Sequence, residues 1–453
     1  MRHVQEAWAR SQAFRVILVV ALLYALFRLV VHGGYLAMML QPESDLLGGM
    51  PEWTGSGSDP MVPPDLQIYL DAARHVLGRE DLYLKGSLAR LEEHYPYAPS
   101  FALAFVPFAW LSPVAVAIVH SVLHVAAYAC LFVAWARIFD RLELKAASAT
   151  LAWTAPLWLV FSAFWSDLGY LNIYLVVALL ATLYTEAVLS ERLGWSVFWL
   201  SIILQIKPHW AFATAVPLLL GRYRFFFKLL ALAVLSYVGI VGLTALATGP
   251  SYALQQYADY LAFLRRLSRD FPWRGPESPF LGYNHSIKQI VFYIAGRMPA
   301  AGLATKLLKA GLLAPLGVVI GRRLVQGGAT PPWRAPKVAL DLAFSLYLGA
   351  FIWLDMVWEL SLSIAIFPYL LATAEGPLTT VVAWVAFLPY ALIDVWQVAS
   401  LGLFGMDVIA PGPYVLTDPS IYVPMVMVLA LSFYGLLIKR MLEQAPGPMR
   451  ARA

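Results

Sequence analysis

The chain has almost no cysteine. Its one copy, Cys130, lies inside an apolar run, so no intramolecular disulfide can form and there is no second thiol on which to build a cysteine metal site. Charge is scarce as well: Asp, Glu, Lys and Arg make up 13% of the 453 residues, against 60% hydrophobic residues. A soluble protein could not cover its surface with so few charges. A low-complexity tract, a soluble domain of useful size and a clear internal repeat are also missing, and the last absence argues against an inverted-repeat transporter. The net charge of +5 follows membrane topology rather than one basic patch, so nucleic acid is not an expected partner.

What the chain does have is apolar length. Many runs approach the roughly 20 residues that cross a bilayer, and the mean hydropathy is +0.69. The fold class read from this is an all-α polytopic membrane protein, one transmembrane domain over residues 1–453. Arg2, Arg10 and Arg15 precede the first apolar segment, residues 16–31. They put the N-terminus in the cytoplasm. No small-residue cleavage site follows, so the segment reads as a retained anchor. Alternation from there gives about twelve crossings with both termini cytoplasmic. Residues 100–111 are too short to span and read as an external juxtamembrane half-helix. Two long loops then face outward, 32–98 and 249–301. Gly48-Gly49 and Gly55-Ser56-Gly57 in the first read as turns.

The first external loop contains the most informative stretch, Pro63-Pro64-Asp65-Leu66-Gln67-Ile68-Tyr69-Leu70-Asp71-Ala72-Ala73. The spacing predicts a short helix, capped by Asp65, stopped at Gly78, and lying flat on the membrane surface. Asp65 has two compatible readings: a helix cap, or a general base facing a membrane cavity. Lys207, between two apolar runs and followed by Pro208, is costly in lipid and should face a polar cavity unless it snorkels. The second loop carries Arg265, Arg266, Arg269 and Lys288 against the positive-inside bias. Such cations suit a lipid phosphate or pyrophosphate; the plain alternative is neutralisation by Asp259 and Asp270. His120 and His124 stand one helical turn apart, a spacing that fits interhelical hydrogen bonding better than a metal. Asp355 and Glu359 read equally as an acid pair at the cavity mouth or as interfacial solvation.

Taken together, these residues resemble the GT-C class of integral-membrane glycosyltransferases that use polyprenyl-phosphate sugars. The nearest likeness is the branch of mycobacterial phosphatidylinositol-mannoside mannosyltransferases and related arabinofuranosyltransferases. The resemblance rests on the 65–73 stretch, Gly78, Leu82-Tyr83, Tyr95-Pro96-Tyr97-Ala98-Pro99, Gly169-Tyr170-Leu171-Asn172, Lys207-Pro208 and Asn284-His285-Ser286. It implies a GT-C fold and Asp65 as catalytic base. Lys207, Arg265, Arg266, Arg269 and Lys288 would hold the donor phosphate. Tyr69, Tyr97, Asn172, His209, Asn284, His285 and Glu359 would contact substrate. The implied reaction is inverting transfer of a sugar, mannose first and arabinofuranose as the alternative, from polyprenyl phosphate to a glycolipid or lipid-linked glycan at the outer face of a bacterial plasma membrane. Donor, acceptor and membrane lipids are then the partners, with no cofactor and no metal. Two departures stand out: Gly169-Tyr170-Leu171-Asn172 where the family often has Gly-Gln-x-Asn, and no histidine after Trp358. A transporter or flippase of a lipid-linked intermediate is the alternative from another class.

Overall fold

A computed structural model describes residues 2–39, 62–83, 95–326, 336–404 and 423–443. The expected turns at Gly48-Gly49 and Gly55-Ser56-Gly57 lie outside the described residues. Among those that are described there is no strand. The helices in chain order are α1 (Arg2–Arg10), α2 (Gln12–Met39), α3 (Pro64–Gly78), α4 (Pro99–Ala109), α5 (Pro113–Arg141), α6 (Lys145–Trp153), α7 (Ala155–Val160), α8 (Ser162–Tyr170), α9 (Tyr174–Leu189) and α10 (Leu193–Ile206). After a break come α11 (Val216–Leu219), α12 (Tyr223–Thr248), α13 (Pro250–Asp270), α14 (Ile287–Ala295), α15 (Pro299–Gln326), α16 (Pro336–Trp353), α17 (Ser363–Ala372), α18 (Pro377–Ala391), α19 (Ile393–Phe404) and α20 (Met425–Glu443).

Proline sets many of these boundaries. Helices α3, α4, α5, α13, α15, α16 and α18 all open on a proline. The missing N–H costs nothing there, because the first turn has no intrahelical acceptor for it. Serine does the complementary work at three starts: Ser11 accepts from Phe14 N at 3.1 Å, Ser112 from Ala115 N at 3.3 Å, and Ser286 from Gln289 N at 3.2 Å.

Six helices are long and apolar enough to cross a membrane, or up to eight if each of two bent pairs is one span. This makes the chain a multi-pass membrane protein. The expectation of about twelve crossings also counts shorter apolar helices, of which α9, α10 and α17 are three, and residues 211–220. That last segment is no span. It folds as a 3-10 turn, Phe212–Ala215, followed by the four residues of α11, because Pro208 and Pro217 interrupt the backbone ladder. The short helix expected over residues 100–111 is α4, Pro99–Ala109.

The long helices sort their faces by solvent. Val16, Leu23, Leu26 and Val30 of α2, and Leu235, Val238, Leu243 and Leu246 of α12, are exposed apolar side chains that suit lipid. Charges inside the bundle are paired. Arg28 of α2 grips Asp394 of α19 with two bonds of 2.8 and 2.9 Å, and Tyr24 adds its hydroxyl to the same carboxylate. Arg440 of α20 pairs with Asp341 of α16, which also accepts from Tyr369 of α17 at 2.5 Å. Arg137 and Arg141 of α5 both reach Glu186 of α9.

Helix α3 is not a free surface helix. Leu66, Tyr69, Leu70, Ala73 and Val76 are buried in the core beside α4, while Leu77 is exposed. Its caps also differ from expectation. The N-cap is Pro63, without a side-chain bond, so Asp65 sits inside the first turn and does not cap. The left-handed C-cap falls on Arg79 at φ 56°, one residue beyond Gly78, with Glu80 N bonded back to His75 O at 2.8 Å.

Candidate active site

The loop-side end of the bundle is built around Tyr69. Its ring meets those of Tyr97, Phe101 and Phe105 at 5.5, 5.5 and 5.1 Å between centroids. This packing fixes α3 against α4 and leaves the Tyr69 hydroxyl pointing at Tyr97 Oη (3.2 Å) and Asn172 Oδ1 (3.1 Å). Gln205, at the end of α10, ties the same floor together. Its carbonyl accepts from Ala98 N at 3.1 Å, and its Oε1 accepts from Ser100 Oγ at 2.7 Å.

Asp65 lies one turn before Tyr69 and so points the same way along α3. Its Oδ2 accepts from Asn172 Nδ2 at 2.9 Å, across 107 residues of sequence. The carboxylate is half-buried. Helix α3 is not among the membrane-spanning segments. Burial pushes the Asp65 carboxyl up to about 6, the Asp167 charge adds to the rise, and Lys207 and the Asn172 bond oppose it. A carboxylate in that range is a competent base near neutral pH.

Lys207 follows the last residue of α10, where Pro208 stops the helix. Its ammonium stands 3.2 Å from the centre of the Tyr174 ring and 5.5 Å from that of Tyr97. Asp65, Asp167 and Glu359 are the carboxylates whose charge it feels, and burial pulls its protonation down from the ordinary lysine range against them. Asp65, Tyr69, Tyr97, Asn172, Tyr174, Lys207 and Glu359 therefore form one polar cluster, drawn from α3, the turn before α4, the α8–α9 corner, the start of α9, the residue after α10 and the segment after α16.

The other candidate residues are placed differently. His209 is half-buried, with its ring 5.9 Å from that of Phe351. Asn284 is buried and its amide is fully engaged: Nδ2 donates to Asp355 O, while Oδ1 accepts from Val357 N and Ser286 N, each at 3.0 Å. His285 adds a bond from its backbone N to Val357 O at 2.8 Å. Asn284 and His285 are expected from the sequence to contact substrate; the structure uses them to strap residues 355–357, and so Glu359, against the bundle. Lys288 donates to Asp355 at 3.1 Å and to Ser268 O at 2.5 Å. Lys309, inconspicuous in the sequence inside a long apolar helix, also holds Asp355 at 2.5 Å. Asp355 is neutralised by two lysines, and Glu359 lies near enough to Lys207 for its charge to act there.

The expected gathering of the loop arginines at Asp65 is absent from the described contacts. Arg266 and Arg269 pair with Asp270 on α13, at 3.4 and 2.6 Å, and Arg265 is exposed. The physical reason is spacing: Arg266 and Asp270 lie four residues apart on one helix face, so they meet locally. Tyr174 and Asp167 are members of the site that the sequence does not single out. Tyr174 gives no signal there beyond an aromatic two residues after Asn172. Asp167 reads as an ordinary turn acid until the corner folds. His124, expected to bond between helices, does reach across to the α8–α9 corner. No group of three metal-ligating side chains occurs among the described residues.

Comparison with known proteins follows the same outline. No curated protein and no solved structure matches the chain. The profile of glycosyltransferase family 87 matches residues 95–354, more than half of the chain. The matched region holds Tyr97, Asn172, Tyr174, Lys207 and Asn284, while Asp65, Tyr69 and Glu359 lie outside it. On that match the chain belongs to glycosyltransferase family 87 and is a multi-pass membrane glycosyltransferase.

Proposed function

We propose that the chain is an inverting glycosyltransferase that moves a sugar from a polyprenyl phosphate to a hydroxyl of a glycolipid or lipid-linked glycan. Mannose is the first choice of sugar and arabinofuranose the second. The observation that carries this reading is the Asp65–Asn172–Lys207 arrangement: a base with a raised proton affinity beside a cation held on aromatic rings. The acceptor hydroxyl oxygen attacks the anomeric carbon and its proton passes to Asp65. The bond from that carbon to the phosphate oxygen breaks, and its electron pair leaves with polyprenyl phosphate. Lys207 stabilises that developing charge. A phosphate leaving group needs a cation more than a proton donor, so the residues present suffice without a metal.

Orientation follows from the opposite end. Glu143, Lys145, Lys337, Thr373 and Glu375 line one cavity of about 520 Å³ there, near the Arg440–Asp341 pair. The Lys and Arg residues gathered at that end, among them Arg141, Lys145, Lys337 and Arg440, support a cytoplasmic placement, with Asp65 at the outer face of a bacterial plasma membrane and both termini inside.

The test is transfer by purified protein from radiolabelled polyprenyl-phosphate mannose or arabinose to membrane lipid extracts. Asp65→Asn should bind donor and lose turnover. Full turnover by that variant overturns the base assignment, and transfer from neither donor overturns the substrate class.

A further inference from the structure

Behind Asp65 lies a second ionisable pair that the transfer step does not use. His124 of α5 and Asp167 of α8 are both 0% exposed, with Nε2 and Oδ2 3.2 Å apart. The remaining partners of the ring are oxygens too. Nδ1 faces the carbonyl of His120 at 2.8 Å, and Nε2 also meets the carbonyl of Asn172. A neutral imidazole donates from one nitrogen and presents a lone pair at the other. Either tautomer would press that lone pair against an acceptor in a site sealed from solvent. Only the doubly protonated ring donates on both sides, and the Asp167 carboxylate supplies its counter-charge.

The pair fixes the corner from which Asn172 reaches Asp65. Asp167 accepts from Tyr174 N at 3.1 Å and Leu175 N at 2.9 Å, and its own carbonyl accepts from Asn172 N at 3.1 Å. These bonds hold Leu171 at φ 49°, a left-handed conformation that a branched side chain rarely adopts without such support. The direction of the Asn172 amide is fixed as well. Its Oδ1 is occupied by Tyr69 Oη at 3.1 Å and Ile173 N at 2.6 Å, so its NH₂ must face Asp65.

We propose that His124, carried as an imidazolium on Asp167, is a positioning residue that sets Asn172 and through it aims the Asp65 carboxylate. This rests on the reading of Asp65 as the base. Other titratable or charged groups facing the pair are His120 on the same helix, His32 on α2, and, around Asp167, Asp65, Lys207, Tyr69, Tyr97 and Tyr174. Those facing Asp65 are Lys207, Asp167, Tyr69, Tyr97, Tyr170 and Tyr174.

The experiment compares wild type, Asp65→Asn, His124→Phe and His124→Gln as full-length protein in detergent, with ¹⁵N-histidine NMR on the wild type. The His124 resonances should show both ring nitrogens protonated at pH 7.5; a neutral tautomer overturns the imidazolium. His124→Phe should lose up to about 100-fold in kcat with donor KM nearly unchanged, the size expected when a reacting group is displaced. Its acid limb should move up, because Asp65 loses the Asn172 bond that favours its charged form. His124→Gln restores a neutral donor toward the Asn172 carbonyl and should recover part of kcat. Wild-type kcat and limb in both histidine variants, with Asp65→Asn inactive, overturns the positioning role while the base stands. Asp65→Asn active at the wild-type rate overturns the base, and this inference with it.

Discussion

Lys207 presents its ammonium to the face of Tyr174, 3.2 Å from the ring centre, and to Tyr97 at 5.5 Å. Rings hold a cation without consuming its N–H donors, so those donors can turn to a phosphate. Lys207→Met should therefore lower kcat/KM by about 100- to 1,000-fold, as loss of one charge-stabilising donor does. Tyr174→Phe keeps the ring and should stay near wild type, whereas Tyr174→Leu should not. Steady-state kinetics with varied donor separate the three.

The rate should follow the ionisation of Asp65. A base works when deprotonated, and burial places this carboxyl at about 6 rather than near 4. So kcat/KM should rise tenfold per pH unit below about 6 and fall again above about 7, where Lys207 loses the proton that makes it a cation. Asn172→Ala removes a bond that favours the charged form. Its limb should therefore move to higher pH. Transfer rates from pH 5 to 8 check both; a flat wild-type profile counts against Asp65 as base.

Asn284 should matter for stability and turnover together. Replacement by Ala leaves Val357 N and Asp355 O without their partner in a buried strap. The cost is about 1–3 kcal/mol for an unsatisfied buried group. A lower Tm in detergent and a reduced kcat are expected, since Glu359 is then held less firmly near Lys207. Unchanged Tm would mean the strap is dispensable.

Asp394→Ala strands the Arg28 guanidinium inside the bundle, where it is 4% exposed. Breaking a buried pair on one side costs about 3–5 kcal/mol. The double replacement Arg28→Met with Asp394→Leu should recover most of that loss, with transfer retained at permissive temperature. Thermal unfolding of the single and double variants tests this.

Much of the architecture is legible in the chain because apolar length and proline are strong signals. Runs such as residues 16–31 announce spans, and the Pro63-Pro64 pair announces the start of α3. Residues 211–220 mislead by the same signal: they are apolar enough to span, but Pro208 and Pro217 leave them no continuous helix. Lys207 stands out because a charge between apolar runs is costly unless it meets a partner or a polar cavity, and Asp65 because it follows two prolines at a helix start in the first external loop. The loop arginines stand out equally, and of the two readings open in the sequence the local one holds for Arg266 and Arg269, which pair with Asp270.

The sequence by itself determined an all-helical membrane protein and singled out Asp65 at a helix start and Lys207 between apolar runs. These follow from composition, spacing and the cost of charge in lipid, all of which are local. Only the tertiary structure decided that Asn172 bonds Asp65, that Tyr174 holds Lys207, and that His124 and Asp167 brace the corner between them. Such contacts join segments tens to hundreds of residues apart, and helix crossings, not chain order, set which side chains meet.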